Sequence, residues 1–194
     1  ALPKTQGQLS IHGHALEARI YAENPEKGFL PAIGQLLHVQ TPPAVEFEIG
    51  MAGGVNESVV RIDSGVRAGD AISPFYDPMI AKLIVWDADR EAALAKMSEA
   101  LAQYQIVGLA TNIAFLQRLV ASQPFATADL DTGLIERNRD VLFPPWLPTP
   151  MAVIALATMA LVEAEKDRAD HTSTNRADPW SHAMGWRLNQ VLQR

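Results

Sequence analysis

Arg61 and Asp63 stand two residues apart in Arg61-Ile62-Asp63-Ser64-Gly65. In extended backbone that spacing sends both side chains from one face, roughly 7 Å apart, so the carboxylate can fix the aim of the guanidinium. A guanidinium stays charged at any working pH and presents a planar fork of donors, which suits an oxyanion or a carboxylate-like group. Taken alone, the pair reads first as a plain surface ion pair. Lys82 lies inside Met79-Ile80-Ala81-Lys82-Leu83-Ile84-Val85-Trp86, where period two sets it beside Ile80 and Ile84. A lysine in such a strand needs a partner, and Glu17 or Glu23 of the first strand is the expected one. That structural pairing stands against a catalytic role.

His12 and His14, two apart, would share a strand face and could hold a metal together, but no third ligand lies nearby in sequence. Polar residues at a strand start are the simpler reading, and no metal site is expected. Asp131-Thr132-Gly133 matches the tripeptide around an aspartic-protease carboxylate. That chemistry needs two such carboxylates sharing a proton. The chain has no second copy, so Asp131 reads as a helix cap.

The elements that must carry these residues follow from periodicity. Leu16, Ala18, Ile20 and Ala22 alternate with Glu17, Arg19, Tyr21 and Glu23, which predicts a half-buried strand over 15–23. Asn24-Pro25-Glu26-Lys27-Gly28 breaks it, and Phe29, Leu30 and Pro31 give the following loop an apolar anchor. Strands are expected over 35–41, 45–49, 59–63 and 79–86, the last a nearly continuous apolar run of the buried kind. Asp87-Ala88-Asp89 then caps a helix in which Leu94, Met97, Leu101 and Tyr104 recur at helical spacing. Further helices are expected over 111–120 and from Asp131-Thr132 through Arg137.

Phe143-Pro144-Pro145-Trp146-Leu147-Pro148 holds three prolines in six residues, which predicts a domain boundary giving domains 1–145 and 146–194. Thr149 as N-cap and Pro150 at the first helical position open a helix that is apolar nearly all round until Glu163, and such a helix is expected to be buried. A polar linker is read over 170–178. The closing stretch, with Trp180 and Trp186, is too short to build a core around them.

Composition excludes several classes. Hydrophobic residues at 48% against 20% charged are enough for a core and too apolar for a disordered chain. A net charge of −6, from 16 Lys+Arg and 22 Asp+Glu without a basic cluster, argues against nucleic acid as a partner. The absence of cysteine removes disulfides, thiolate zinc sites and thiol nucleophiles. The longest apolar run, over 151–162, falls short of the ~20 residues of a membrane span, so no membrane partner is expected. An opening without an initiator Met or an apolar signal region reads as a piece of a longer polypeptide.

Four blocks in order carry a resemblance: Gly13-His14-Ala15-Leu16-Glu17-Ala18-Arg19-Ile20-Tyr21-Ala22-Glu23, Phe29-Leu30-Pro31, Arg61-Ile62-Asp63-Ser64-Gly65-Val66, and Tyr76-Asp77-Pro78-Met79-Ile80-Ala81-Lys82-Leu83. Ile106-Val107-Gly108, Thr111-Asn112, Phe115-Leu116 and Asp131-Thr132-Gly133 continue it. The series resembles the C-terminal lobe of biotin carboxylase over about residues 7–140. Trp180-Ser181 with Gly185-Trp186-Arg187-Leu188-Asn189 resembles the start of the coupling domain in acyl-CoA carboxylase α subunits, most of all those of methylcrotonyl-CoA carboxylase, with geranyl-CoA and propionyl-CoA carboxylases as the alternatives, since in that family the partner β subunit recognises the acyl group.

The resemblance implies an α+β fold, an antiparallel β-sheet with packed helices, followed by a helix opening a truncated coupling domain. It implies a part of an enzyme that spends ATP and bicarbonate to carboxylate N1′ of biotin. In that family ATP and Mg²⁺ are bound mainly by a region that would precede this lobe, so the fragment alone is expected to be inactive. Biotin would arrive on a carrier domain outside the fragment. By resemblance Arg61 stabilises the enolate form of the biotin ureido oxygen, Asp63 orients Arg61, and Lys82 and Glu17 have supporting or structural places. Trp86 and Arg90 would lie in a homodimer contact. The other implied partners are the biotin carboxyl carrier domain and a carboxyltransferase β subunit, and the implied location is the cytoplasm, or the mitochondrial matrix in a eukaryote. Two departures stand out: the segment 44–58 is longer than the family's connection, and Ala32-Ile33 replaces a small polar pair. The competing expectation is a non-catalytic dimerisation and subunit-docking module.

Overall fold

The computed structural model describes residues 4–45, 59–145 and 147–172. In chain order the strands and helices are β1 His14–Tyr21, β2 Glu23–Asn24, β3 Leu30–Pro31, β4 Gly34–Gln35, β5 His38–Gln40, β6 Val59–Ser64, β7 Ala71–Ile72, β8 Met79–Asp87, α1 Arg90–Gln103, β9 Gln105–Val107, α2 Ile113–Ala121, α3 Gln123–Ala126, α4 Leu134–Arg137, α5 Arg139–Leu142 and α6 Met151–Thr172. The chain divides into two compact units between Pro144 and Pro145.

The first unit is built on an antiparallel sheet in the order β1-β8-β6. Its register places Leu16, Val85 and Val60 in one row and Ala18, Leu83 and Ile62 in the next. These rows face the core, where Ile20, Leu83 and Val85 are fully buried. Burying a side chain of that size contributes about 1.5–3 kcal/mol. Helix α1 covers this face with Ala93, Met97, Ala100 and Leu101, and its N-cap Asp89 accepts from the Ala92 amide at 2.8 Å. Tyr104, expected inside the helix, instead ends it as C-cap and lies buried in the core. A second apolar cluster gathers Phe115, Leu134 and Leu142 around the rings of Phe29 and Phe143. Phe29 meets Phe115 edge-on at 5.0 Å, so the anchor expected of that loop is Phe29, whereas Leu30 is exposed.

Several elements differ from expectation. The single strand over 35–41 is two short strands, because the chain changes partner at Leu36-Leu37. There β4 pairs with β7 and β5 pairs with β9, while Leu36 drops into the core. Of the strand expected over 45–49, Val45 forms a parallel bridge to Arg61, and the rest lies outside the described residues, as does most of the long 44–58 segment. The helix expected from Asp131 is the single turn α4, followed by α5, and α3 was not anticipated.

In the second unit, α6 begins after Pro150 as expected but is not buried. Met151, Leu156, Met159 and Leu161 are all exposed. The described residues of this unit contain this one helix. The helix also continues past the expected linker start, to Thr172, and the remaining linker, Trp180 and Trp186 lie outside the described residues. No helix among the described residues is long and apolar enough to cross a membrane.

Candidate functional site on the open sheet face

The sheet face away from the core carries the candidate residues. Cross-strand partners share a face, as do residues two apart. One row of this open face is therefore Glu17, Ile84 and Arg61, and the next is Arg19, Lys82 and Asp63. Above the first row stand Ala15, Trp86 and Val59.

Within β6 the two same-face neighbours meet in a bidentate pair. Arg61 Nε donates to Asp63 Oδ1 at 2.8 Å and Nη2 donates to Oδ2 at 2.7 Å. Two parallel charge-assisted bonds fix the plane of the guanidinium as well as its position. Both side chains are about one-third exposed, at 35% and 37%. Asp63 is held below the usual carboxylate range by the hydrogen bond from Arg61, and the Lys82 ammonium adds to the effect. Arg61 is correspondingly held more firmly protonated by Asp63. The pair expected from the spacing is thus formed, with Asp63 along one edge of the fork.

The expected partner of Lys82 is corrected. Glu17 accepts from Arg19 Nε at 3.2 Å on its own strand, and in register it faces Ile84. Glu23 lies beyond the register shift between Ile20 and Tyr21 and pairs with Pro31 of β3. Burial, and then the nearby Asp77, push its carboxyl upward. Lys82 stands instead between Arg19 and Asp63, and among the described residues it forms no ion pair with Glu17 or Glu23.

Trp86 and Arg90 sit at the corner between β8 and α1. The Gly13 backbone lies so close to the Trp86 ring that a Cβ there would be 2.2 Å from it. Arg90 is a clamp within the chain: Nη1 donates to His14 Nε2 at 3.0 Å, Nε to the Ala126 carbonyl at 3.3 Å and Nη2 to the Phe125 carbonyl. Its guanidinium also lies over the Phe125 ring. Because a guanidinium only donates, His14 Nε2 acts there as an acceptor. His12 turns to Ser10 Oγ at 2.7 Å, and Gly13, at φ 70°, breaks the alternation that would have put the two histidines on one strand face. No group of three metal-binding side chains occurs among the described residues. Asp131 accepts from the Gly133 amide and from Arg137, which is a turn-capping role.

One positioning residue went unforeseen. Asn112 is buried just before α2, yet its side chain leaves the helix uncapped and turns to β1. Its Oδ1 accepts from Tyr21 N at 2.9 Å and its Nδ2 donates to the Arg19 carbonyl at 3.0 Å. The strand edge that presents Glu17 and Arg19 is thereby secured at its irregular end. The sequence offered Asn112 only as part of a resemblance block, since a lone Asn before a helix reads as a cap.

Residues 17–137 match the family described as biotin carboxylase C-terminal domain. The mitochondrial methylcrotonoyl-CoA carboxylase subunit alpha of Dictyostelium discoideum is 43% identical over 197 aligned residues, covering 100% of this chain and 26% of that protein. The rat subunit of the same name is 38% identical over 97% of this chain and 25% of its own length. Among solved structures, the biotin carboxylase domain dimer of Hydrogenobacter thermophilus 2-oxoglutarate carboxylase, in complex with MgADP, ADP and bicarbonate, superposes with a TM-score of 0.64 at 30% identity, covering 76% of this chain and 29% of that one. The chain spans about a quarter of the length of the curated relatives it matches.

Proposed function

The chain belongs to the biotin carboxylase C-terminal domain family, and from that premise we propose that it is the C-terminal lobe of a biotin carboxylase acting in a methylcrotonoyl-CoA carboxylase α subunit. Alignments to the Dictyostelium and rat subunits take in 100% and 97% of the chain, reaching beyond residue 137 where the family match ends, and this supports the finer assignment. The location named for both relatives, the mitochondrion, is carried over on the same ground.

The observation that carries the reading is the Arg61 fork, aimed by Asp63 on the open face of the sheet. The reaction class is transfer of a carboxyl group, activated with ATP and bicarbonate by the region preceding this lobe, to N1′ of biotin as acceptor substrate. A ureido nitrogen is a poor nucleophile until its proton leaves, to the phosphate released as the activated bicarbonate gives up its carboxyl group, and charge gathers on the adjacent oxygen. Arg61 supplies a fixed cation for that oxygen, and donors held in advance cost no reorganisation when the charge develops. The Nε–Nη2 edge is engaged by Asp63, which fixes the plane in which the guanidinium is presented. Asp63 acts through Arg61 as a positioning residue. The hydrogen bond from Arg61 keeps Asp63 ionised and Lys82 adds to it, while Glu17 holds Arg19 beside Lys82.

The carrier domain and a carboxyltransferase β subunit are the partners this assignment brings. Self-association is proposed by analogy with the Hydrogenobacter domain dimer. The three Arg90 nitrogens are engaged within the chain, so at such a contact Trp86 would be the residue presented and Arg90 would set its corner.

The test is bicarbonate-dependent ATP cleavage by the full-length polypeptide, with and without free biotin. Cleavage stimulated by biotin is the expected result. No bicarbonate-dependent cleavage in a folded, biotin-binding protein would sink the enzymatic reading and leave the docking module.

A further inference from the structure

A guanidinium has no acceptor, so an arginine can donate to a histidine only while the ring keeps one bare nitrogen. Arg90 Nη1 makes that contact with His14 Nε2 at 3.0 Å. The bond therefore requires a neutral His14 with its proton on Nδ1. Protonation puts an N–H where the acceptor was, which ends the bond and sets two like charges against each other. Both side chains are half-buried, so water does not simply take the place of the lost contact.

The groups around His14 decide what a charged ring does. Asp87 stands directly opposite on β8, with its Oδ1 accepting from the Ala88 amide at 2.7 Å. Cross-strand partners have Cβ atoms about 5 Å apart, so a charged His14 is within reach of that carboxylate. On α1, Asp89 is engaged with the Ala92 amide and Glu91 follows Arg90 in the first turn. From α3 come the Phe125 ring and carbonyl, both on Arg90, and its residues Gln123–Ala126 carry no titratable side chain. His12, two residues earlier, is bonded to Ser10 Oγ. Protonation thus turns His14 from Arg90 toward Asp87, while Arg90 keeps its bonds to the Phe125 and Ala126 carbonyls.

The consequence reaches Trp86 through the backbone. Gly13 immediately precedes His14 and lies against the Trp86 ring with no room for a Cβ between them. A shift of His14 moves the support on which that ring rests. We propose that the His14–Arg90 bond is a proton-operated latch on the Trp86 corner, closed when His14 is neutral and open when it is charged, so that self-association through this corner weakens as the pH falls. The inference rests on the self-association proposed above and adds its regulation. An imidazole is the side chain that ordinarily changes charge between pH 5 and 8, a range that cells reach.

The experiment measures the dissociation constant of the full-length polypeptide by sedimentation between pH 8.0 and 5.5. Wild type is compared with His14→Gln, whose carboxamide oxygen accepts from Arg90 without titrating, and with His14→Lys, which is charged throughout; circular dichroism checks the fold of each. The wild-type constant is expected to rise about five- to tenfold toward pH 5.5, the scale of one hydrogen bond to a charged group felt in part at the contact. His14→Gln should hold the tighter value across the range, and His14→Lys should show the weaker one even at pH 8.0. Parallel weakening of wild type and His14→Gln overturns the latch, as does a wild-type constant that is flat with pH; either result leaves self-association standing. Monomers at every pH overturn the self-association reading, and the latch with it.

Discussion

Replacing Asn112 by alanine removes two hydrogen bonds that no other residue is placed to supply. Asn112 is 6% exposed, and its carboxamide spans the irregular end of β1 between Tyr21 N and the Arg19 carbonyl. The variant leaves one donor and one acceptor of part-buried backbone unmatched, at about 1–3 kcal/mol for each group fully deprived of partners. Water reaches the exposed Arg19 side of the strand and offsets part of that loss, so about 2–3 kcal/mol is expected in total. For a unit of this size that corresponds to a fall in Tm of about 6–12 °C. Urea unfolding followed by circular dichroism gives the energy, and hydrogen exchange at the Tyr21 amide localises it. Asn112→Asp should be nearly as costly, because it keeps the acceptor for Tyr21 but turns a charged oxygen toward the Arg19 carbonyl. A loss below about 0.5 kcal/mol in Asn112→Ala, with Tyr21 still protected, would refute the reasoning, since the side-chain bonds would then be dispensable.

Three further outcomes follow from the same geometry. The Tyr104 hydroxyl is buried without a hydrogen-bond partner among the described residues, so Tyr104→Phe should be neutral or stabilising by up to about 1 kcal/mol in thermal unfolding; destabilisation would mean that the hydroxyl is engaged. Gly13→Ala combines a φ of 70° with a Cβ 2.2 Å from the Trp86 ring, and should cost more than about 2 kcal/mol and shift the tryptophan fluorescence, whereas Gly133→Ala meets only the flexible end of Arg137 and should cost far less. Asp63 is held below its ordinary carboxylate range, so its contribution to stability is fully present above the unfolded value of about 3.9 and is lost as pH falls through the lower folded value. Comparing wild type with Asp63→Asn should therefore show their stabilities converging only below about pH 4, and convergence near neutrality would contradict the pairing.

How far the sequence foretold this arrangement depends on the range of the forces involved. The alternation of Leu16, Ala18 and Ile20 with charged neighbours, and the unbroken apolar run around Leu83, announced β1 and β8 because a sheet side buried by helices selects residues with period two. The Arg61 and Asp63 pair was legible for the same reason, since both partners lie on one strand two residues apart. Contacts between distant elements were not. The neighbours of Lys82 depend on the register of three strands, and a two-residue periodicity gives which face it occupies but not what stands opposite. Arg90 reaches His14 across 76 positions and Asn112 reaches Tyr21 across 91, pairings that no local pattern encodes. The division of 35–41 into two strands failed for a related reason, because the change of partner at Leu36 is imposed by β7 and β9. For α6, composition identified an apolar helix but wrongly implied its burial, because the apolar content of a helix does not encode what packs on it.

The role of Arg61 is tested most directly by measuring incorporation of labelled bicarbonate into free biotin by the full-length enzyme carrying Arg61→Gln, beside Asp63→Asn. Removing one preorganised donor to a developing oxyanion costs about 3 kcal/mol, so Arg61→Gln should lower kcat for biotin carboxylation about 100-fold while KM for ATP stays at the wild-type value. Asp63→Asn, which leaves the cation but frees its aim, should fall between the two. Wild-type carboxylation by Arg61→Gln would reduce the pair to a surface ion pair and contradict the proposed site.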